Sequence, residues 1–170
     1  MPSFITIPLL FVFPALMAFA AFSDLFTMRI TNKLVLVVVV AFLAIALLAG
    51  LPLEQIGMHV LVAVVVLLVA FSFFAFGWIG GGDAKLIAAT TLWFGLSNML
   101  PYLLYASLLG GSLTLALLAV RRFPLPPQLK TVVWIDRLHD AKTGVPYGLA
   151  LAAAAVLVYP TSTIFQRLLG

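Results

Sequence analysis

LIAATTLWFGLSNMLPYLLYASLLGGSLTLALLAV, residues 86–120, is a run of 35 positions without a charged side chain. As one helix rising about 1.5 Å per residue it would overshoot a hydrocarbon core about 30 Å thick. The run must therefore fold back on itself. The expected place is Asn98-Met99-Leu100-Pro101, because proline cannot donate to a helix ladder and pushes the residue before it out of helical geometry. Four further uncharged runs, 1–23, 34–53, 55–82 and 143–166, flank it. Each is long enough for one crossing, which takes about 20 apolar residues. The expectation is an all-α membrane protein, a polytopic bundle of six transmembrane helices forming one domain over residues 1–170, with helices near 4–22, 34–50, 56–76, 83–98, 102–120 and 145–165 and a polar loop over 121–144.

Composition agrees with that reading. Of 170 residues, 65% are hydrophobic and 8% charged, against roughly 45–50% and 25% in an ordinary globular domain, which excludes a soluble fold. The net charge of +4 would raise the question of nucleic acid in a soluble chain. Here position answers it. With the amino terminus outside, Arg29, Lys33, Lys85, Arg121, Arg122, Lys130, Arg137 and Lys142 all fall in cytoplasmic loops, and Arg167 alone falls outside. That asymmetry follows the positive-inside rule and gives an N-out, C-out orientation with no nucleic-acid partner. The absence of cysteine excludes disulfides, thiol chemistry and cysteine-ligated metals. His59 and His139 are expected on opposite membrane faces, so no metal site is expected, and His59 with Glu54 is placed at a wet outer interface. The first run lacks a basic segment ahead of it and reads as a retained helix, not a cleaved signal.

Five acidic residues exist in all. Asp24 falls at the end of the first helix and Asp83 at the start of the fourth, after Gly77-Trp78-Ile79-Gly80-Gly81-Gly82. The topology puts both at similar depth. Ionisable groups at a membrane boundary are costly unless paired or hydrated, and so flag function. Two close carboxyls cannot both ionise, so a pair holds one charged and one protonated member. The charged one can take a proton from an attacking water while the other hydrogen-bonds the developing oxyanion. A structural reading stands beside this: Asp83 as helix N-cap, Asp24 as a marker of the membrane edge. The Gly-x-Gly-Asp pattern of Gly80, Gly82 and Asp83 tips the balance, since glycines beside an acid let a substrate backbone approach closely.

Three segments carry a family resemblance: Ser23-Asp24-Leu25 with Arg29-Ile30-Thr31-Asn32, then Gly80-Gly81-Gly82-Asp83-Ala84-Lys85-Leu86, then Val145-Pro146-Tyr147-Gly148. In this order the chain resembles the type IV prepilin leader peptidases, Gly-x-Gly-Asp aspartyl proteases of the membrane. The resemblance implies that Asp24 and Asp83 are the catalytic pair. It implies that Gly80, Gly82, Lys85, Arg29, Asn32, Pro146, Tyr147 and Gly148 support the motifs and position the substrate. It also implies a prepilin substrate cut after its short basic leader, at the cytoplasmic face of a bacterial inner membrane, without cofactor. Thr31 stands where the family commonly carries proline. The loop after the first helix has no room for the cysteine-bearing domain of the bifunctional members, so a peptidase without N-methyltransferase activity is expected, like the compact enzymes of Tad or Flp pilus systems. Archaeal preflagellin peptidases are similarly short. Beyond substrate, lipid is the expected partner, and a homo-oligomer is compatible with the reading.

Other classes are weighed on the same residues. No His-Glu-x-x-His and no Gly-x-Ser-x-Gly is present, against zinc and serine chemistry. Presenilin-like proteases share Gly-x-Gly-Asp, yet Ser23 replaces their tyrosine. A cation or proton transporter would use the same aspartates, though such sites usually lie at the bilayer midplane in repeated halves. A structural membrane subunit would need neither. Lys85 reads as an interface anchor, Tyr147 as a boundary aromatic, and Leu129 to Leu138 as a short amphipathic piece on the membrane surface.

Overall fold

The computed structural model describes residues 3–170. Its elements are α1 (Ser3–Thr27), α2 (Asn32–Leu48), α3 (Leu53–Ala75), α4 (Gly81–Val120), α5 (Pro127–Lys130), α6 (Val133–His139), a 3-10 turn (Ala141–Thr143), α7 (Tyr147–Val158), a second 3-10 turn (Tyr159–Thr161) and α8 (Thr163–Leu169). Among the described residues there is no strand. Three helices are long and apolar enough to cross a membrane: α1 from Thr6, α3 and α4; α7 and α8, bent by 47° at their junction, form a fourth candidate, and α2 is a shorter apolar helix. This is a membrane protein.

The break in the 86–120 run lies elsewhere than Asn98-Met99-Leu100-Pro101. α4 breaks at Gly95, whose φ of 58° and ψ of −161° are non-helical, and Pro101 sits inside the second limb. The reason is tertiary. His59 of α3 is buried and donates from Nδ1 to the Leu92 carbonyl at 2.7 Å, three residues before the break at Gly95. Its ring fills the space where a Cβ on residue 95 would sit, 2.8 Å from Nε2. Only glycine combines a positive φ with that approach. His59 is therefore part of the core, stacked on Phe42 with ring centroids 5.4 Å apart, and does not lie at a wet interface.

Other boundaries shift for local reasons. α1 runs on to Thr27, so Asp24 lies in its last turn and not in a loop. α2 starts at Asn32, capped by Thr31, whose hydroxyl accepts from the Leu34 amide at 3.3 Å, an ordinary N-cap. α4 starts at Gly81 with Gly80 as N-cap, so Asp83 is a first-turn residue and not the cap itself. The expected helix over 145–165 is interrupted by the turn at Tyr159–Thr161. Pro127 opens α5, where its missing amide costs nothing.

The two limbs of α4 are packed unequally. In 81–94 most residues are buried, while in 96–120 only Tyr102, Ala106 and Gly110 are. Phe13, Trp93, Tyr159 and Phe94 interlock at the centre, with Phe13–Trp93 centroids 4.6 Å apart, and the Trp93 indole donates to the Val38 carbonyl at 3.1 Å. Lipid is as apolar as these side chains, so close packing holds such helices together. Small residues permit it: α7 buries Gly148, Ala150, Ala152, Ala154 and Ala155.

Candidate active site

At one end of the bundle the α1–α2 turn, the glycine loop and the start of α7 converge. They enclose a cleft of about 1360 Å³ whose walls include Asp24, Arg29, Asn32, Gly80, Gly82, Asp83 and Tyr147. Asp24 and Asp83, 59 positions apart in the chain, are close enough to interact electrostatically.

Each carboxylate is held differently. Asp24 is only 5% exposed, and the amide of Gly148 donates to its Oδ2 at 2.7 Å. That approach needs glycine: a Cβ on residue 148 would lie 2.8 Å from Asp24 Oδ2, 2.9 Å from Ile30 Cδ1 and 3.0 Å from Asp24 Cβ. Asp83 is placed by its own helix. Its carboxylate faces the amide of Gly80, the reach-back of a first-turn acid to the N-cap amide, and a Cβ on Gly80 would stand 2.8 Å from its Oδ2. Gly82 lets the loop close on Ile30, whose Cβ would be 3.1 Å from an added methyl.

Around the pair, Tyr147 lines the cleft and packs on Gly110, the hydroxyl end of its ring occupying the volume of any side chain there. Arg29 is exposed at the rim, and Asn32 accepts from Lys85 Nζ at 2.9 Å. Three residues singled out from the sequence do not line the cleft. Lys85 points to Asn32, Pro146 is the buried N-cap position of α7, and Gly148 acts through its amide. Arg137 donates to the Phe26 carbonyl at 2.9 Å, tying the 121–144 segment to the end of α1, where a cation suits the helix dipole. His139 donates to the Phe123 carbonyl at 2.8 Å. Among the described residues no group of three or more His, Cys, Asp or Glu side chains is placed to hold a metal ion.

Reading single residues misses two features. One is Met28, which lines the cleft at a φ of 54°; no sequence signal marks it. The other is the Gly148 amide as partner of Asp24, which joins positions 124 apart.

Two aspartates carried by separate apolar helices thus line one cleft at an end of the helix bundle. Residues 11–115 match the model of the type IV leader peptidase family, and the chain belongs to that family. It is accordingly a peptidase with a type IV leader peptidase-like function, and the family implies a prepilin-type substrate. No curated protein and no solved structure matches the chain.

Proposed function

We propose that the chain is a prepilin leader peptidase in which Asp24 and Asp83 activate the attacking water. The observation that carries the reading is their convergence on one cleft from distant points of the sequence. One carboxylate, ionised, takes the water's proton as oxygen attacks the scissile carbonyl; the other, protonated, hydrogen-bonds the oxyanion and then passes a proton to the leaving amine. No cofactor enters. Gly80 and Gly82 let the loop close on Asp83 and Ile30 and so set the carboxylate at the cleft, Arg29 and Asn32 stand at the substrate's entry, and Tyr147, set by Pro146 and Gly148, shapes the far wall. Lys85 braces Asn32.

α1, α2, α3, the two limbs of α4 and the bent α7–α8 pair make six passes, N-out and C-out. That orientation puts the cleft at the cytoplasmic face of a bacterial inner membrane, where the basic leader of a prepilin lies. The α1–α2 connection, four residues from Met28 to Thr31, holds no further domain, which favours a peptidase without methyltransferase activity and a substrate of the Tad or Flp kind.

The test is cleavage of a tagged prepilin by purified protein in liposomes, comparing wild type with Asp24→Asn and Asp83→Asn. Both variants are expected to fold and to lose cleavage. Retained cleavage by either removes the carboxylate pair from the mechanism.

A further inference from the structure

The cleft does not end at the carboxylates. It continues as an apolar slot between α3 and the second limb of α4, walled by Val65, Val69 and Phe73 on one side and Met99, Leu103 and Ser107 on the other. Each set repeats at four-residue spacing, the spacing of one helix face. Each wall covers eight residue steps, about 12 Å or two helical turns. Val65 and Val69 remain about half exposed, at 52% and 51%, so the slot lacks a covering helix.

Resting on the peptidase reading, we propose that this slot receives the first two turns of the substrate's own apolar helix, entering sideways from the membrane. Length and polarity select the occupant. A segment lying in the slot delivers its polar end to Asp24 and Asp83, which places the peptide bond just ahead of an apolar helix at the reacting groups. A helix about 10 Å across and two turns long fills roughly 900 Å³, within the 1360 Å³ of the whole cleft. A phospholipid in the same place would bring its phosphate against two carboxylates and offer no bond to cut.

The experiment places a photoreactive phenylalanine at Val69 or Ser107 in the Asp24→Asn protein, in liposomes, with a tagged prepilin. Crosslinks are expected to the first two turns of the prepilin's apolar segment. In the active protein, Val69→Trp and Ser107→Trp should raise KM for the prepilin at least tenfold with little change in kcat, while Leu100→Trp, on the lipid side of the same limb, leaves KM unchanged. Crosslinks to lipid alone, or wild-type KM in both slot variants, overturn the slot and leave the peptidase standing. Failure of the wild-type protein to cut any prepilin overturns both.

A second observation concerns the rim. α1, α2 and α3 each give way to a residue with positive φ. α2 and α3 use Gly50 (68°) and Gly77 (74°), whereas α1 uses Met28 (54°), the only such non-glycine among the described residues. The Met28 amide closes the helix on the Asp24 carbonyl at 2.7 Å. Glycine takes a positive φ at a helix end without strain elsewhere in the same molecule. At Met28 the chain accepts strain and keeps a side chain in the cleft, and strained residues of this kind gather at functional sites. We infer that Met28 contacts the substrate beside the scissile bond and contributes to specificity. Met28→Gly should melt at a higher temperature than wild type yet show KM raised about fivefold, while Met28→Leu keeps both near wild type. A stabilised Met28→Gly with unchanged KM overturns the inference, and so does a Met28→Leu protein whose KM rises as much.

Discussion

Asp24 and Asp83 face the same cleft, yet the first is held by an amide 124 positions away and the second by the loop three residues before it. One site half depends on how α7 packs against α1. The other is built into the start of a helix and forms wherever that helix forms. Changes that disturb tertiary packing should therefore damage Asp24 first, and changes in local backbone should damage Asp83.

The largest effect comes where the halves should be equal. On the proposed mechanism Asp24→Asn and Asp83→Asn each remove a group that acts in the transition state, and each is expected to cost about 10³-fold or more in kcat, the combined range of acid–base and oxyanion contributions. Single-turnover cleavage measures both. A residual activity in one variant that exceeds the other by two orders of magnitude would break the symmetry of the pair.

Asymmetry should appear in the supports. Gly148→Ala puts a methyl group against Asp24 Oδ2, Asp24 Cβ and Ile30 Cδ1 at once. The Cβ is tied to the backbone and cannot swing away, so α7 itself must move. A shift of about 1 Å at a reacting group can cost about 10²-fold in kcat, and a loss of that size is expected. Gly80→Ala meets chiefly Asp83 Oδ2, the free end of a rotatable side chain. It should cost no more than about tenfold, as the carboxylate turns from its amide and gives up one hydrogen bond, worth about 0.5–1.5 kcal/mol net. Equal losses in the two alanine variants would show that Asp24 is no more dependent on packing than Asp83.

This contrast explains what could be read from the sequence. The Asp83 side is local: three glycines and an acid in succession signal a tight backbone with a carboxylate at a helix start, although the helix begins two residues earlier than the acid suggests. The Asp24 side is visible only as an acid at the edge of an apolar run, because nothing in Ser23-Asp24-Leu25 names Gly148. The break in α4 shows the same limit. Pro101 is the strongest breaker by local chemistry, but a membrane helix tolerates an interior proline, whereas the non-helical residue is Gly95, with a histidine ring in the space a side chain would need. That ring comes from α3, 36 positions earlier. Uncharged runs predict apolar helices because the bilayer imposes length and composition; contacts between helices carry no such periodic mark.

The smallest predicted effect separates two roles for Lys85. Its ammonium donates to Asn32 Oδ1 at 2.9 Å in an exposed setting, bracing the start of α2 against the start of α4. Exposed polar contacts of this kind contribute under about 1 kcal/mol. If bracing is all that Lys85 does, Lys85→Met and Asn32→Ala should each lower kcat/KM by no more than about threefold, and the double variant should match either single one, since both remove the same contact. A cation that instead acts on the carboxylate pair through the cleft would leave Asn32→Ala nearly silent while Lys85→Met fell further, with a double variant no different from Lys85→Met alone. The discriminating quantity is thus the Asn32→Ala loss, measured in steady-state prepilin cleavage at low and high salt. A brace of short range changes little with ionic strength, whereas a long-range field is screened over about 10 Å at 0.1 M.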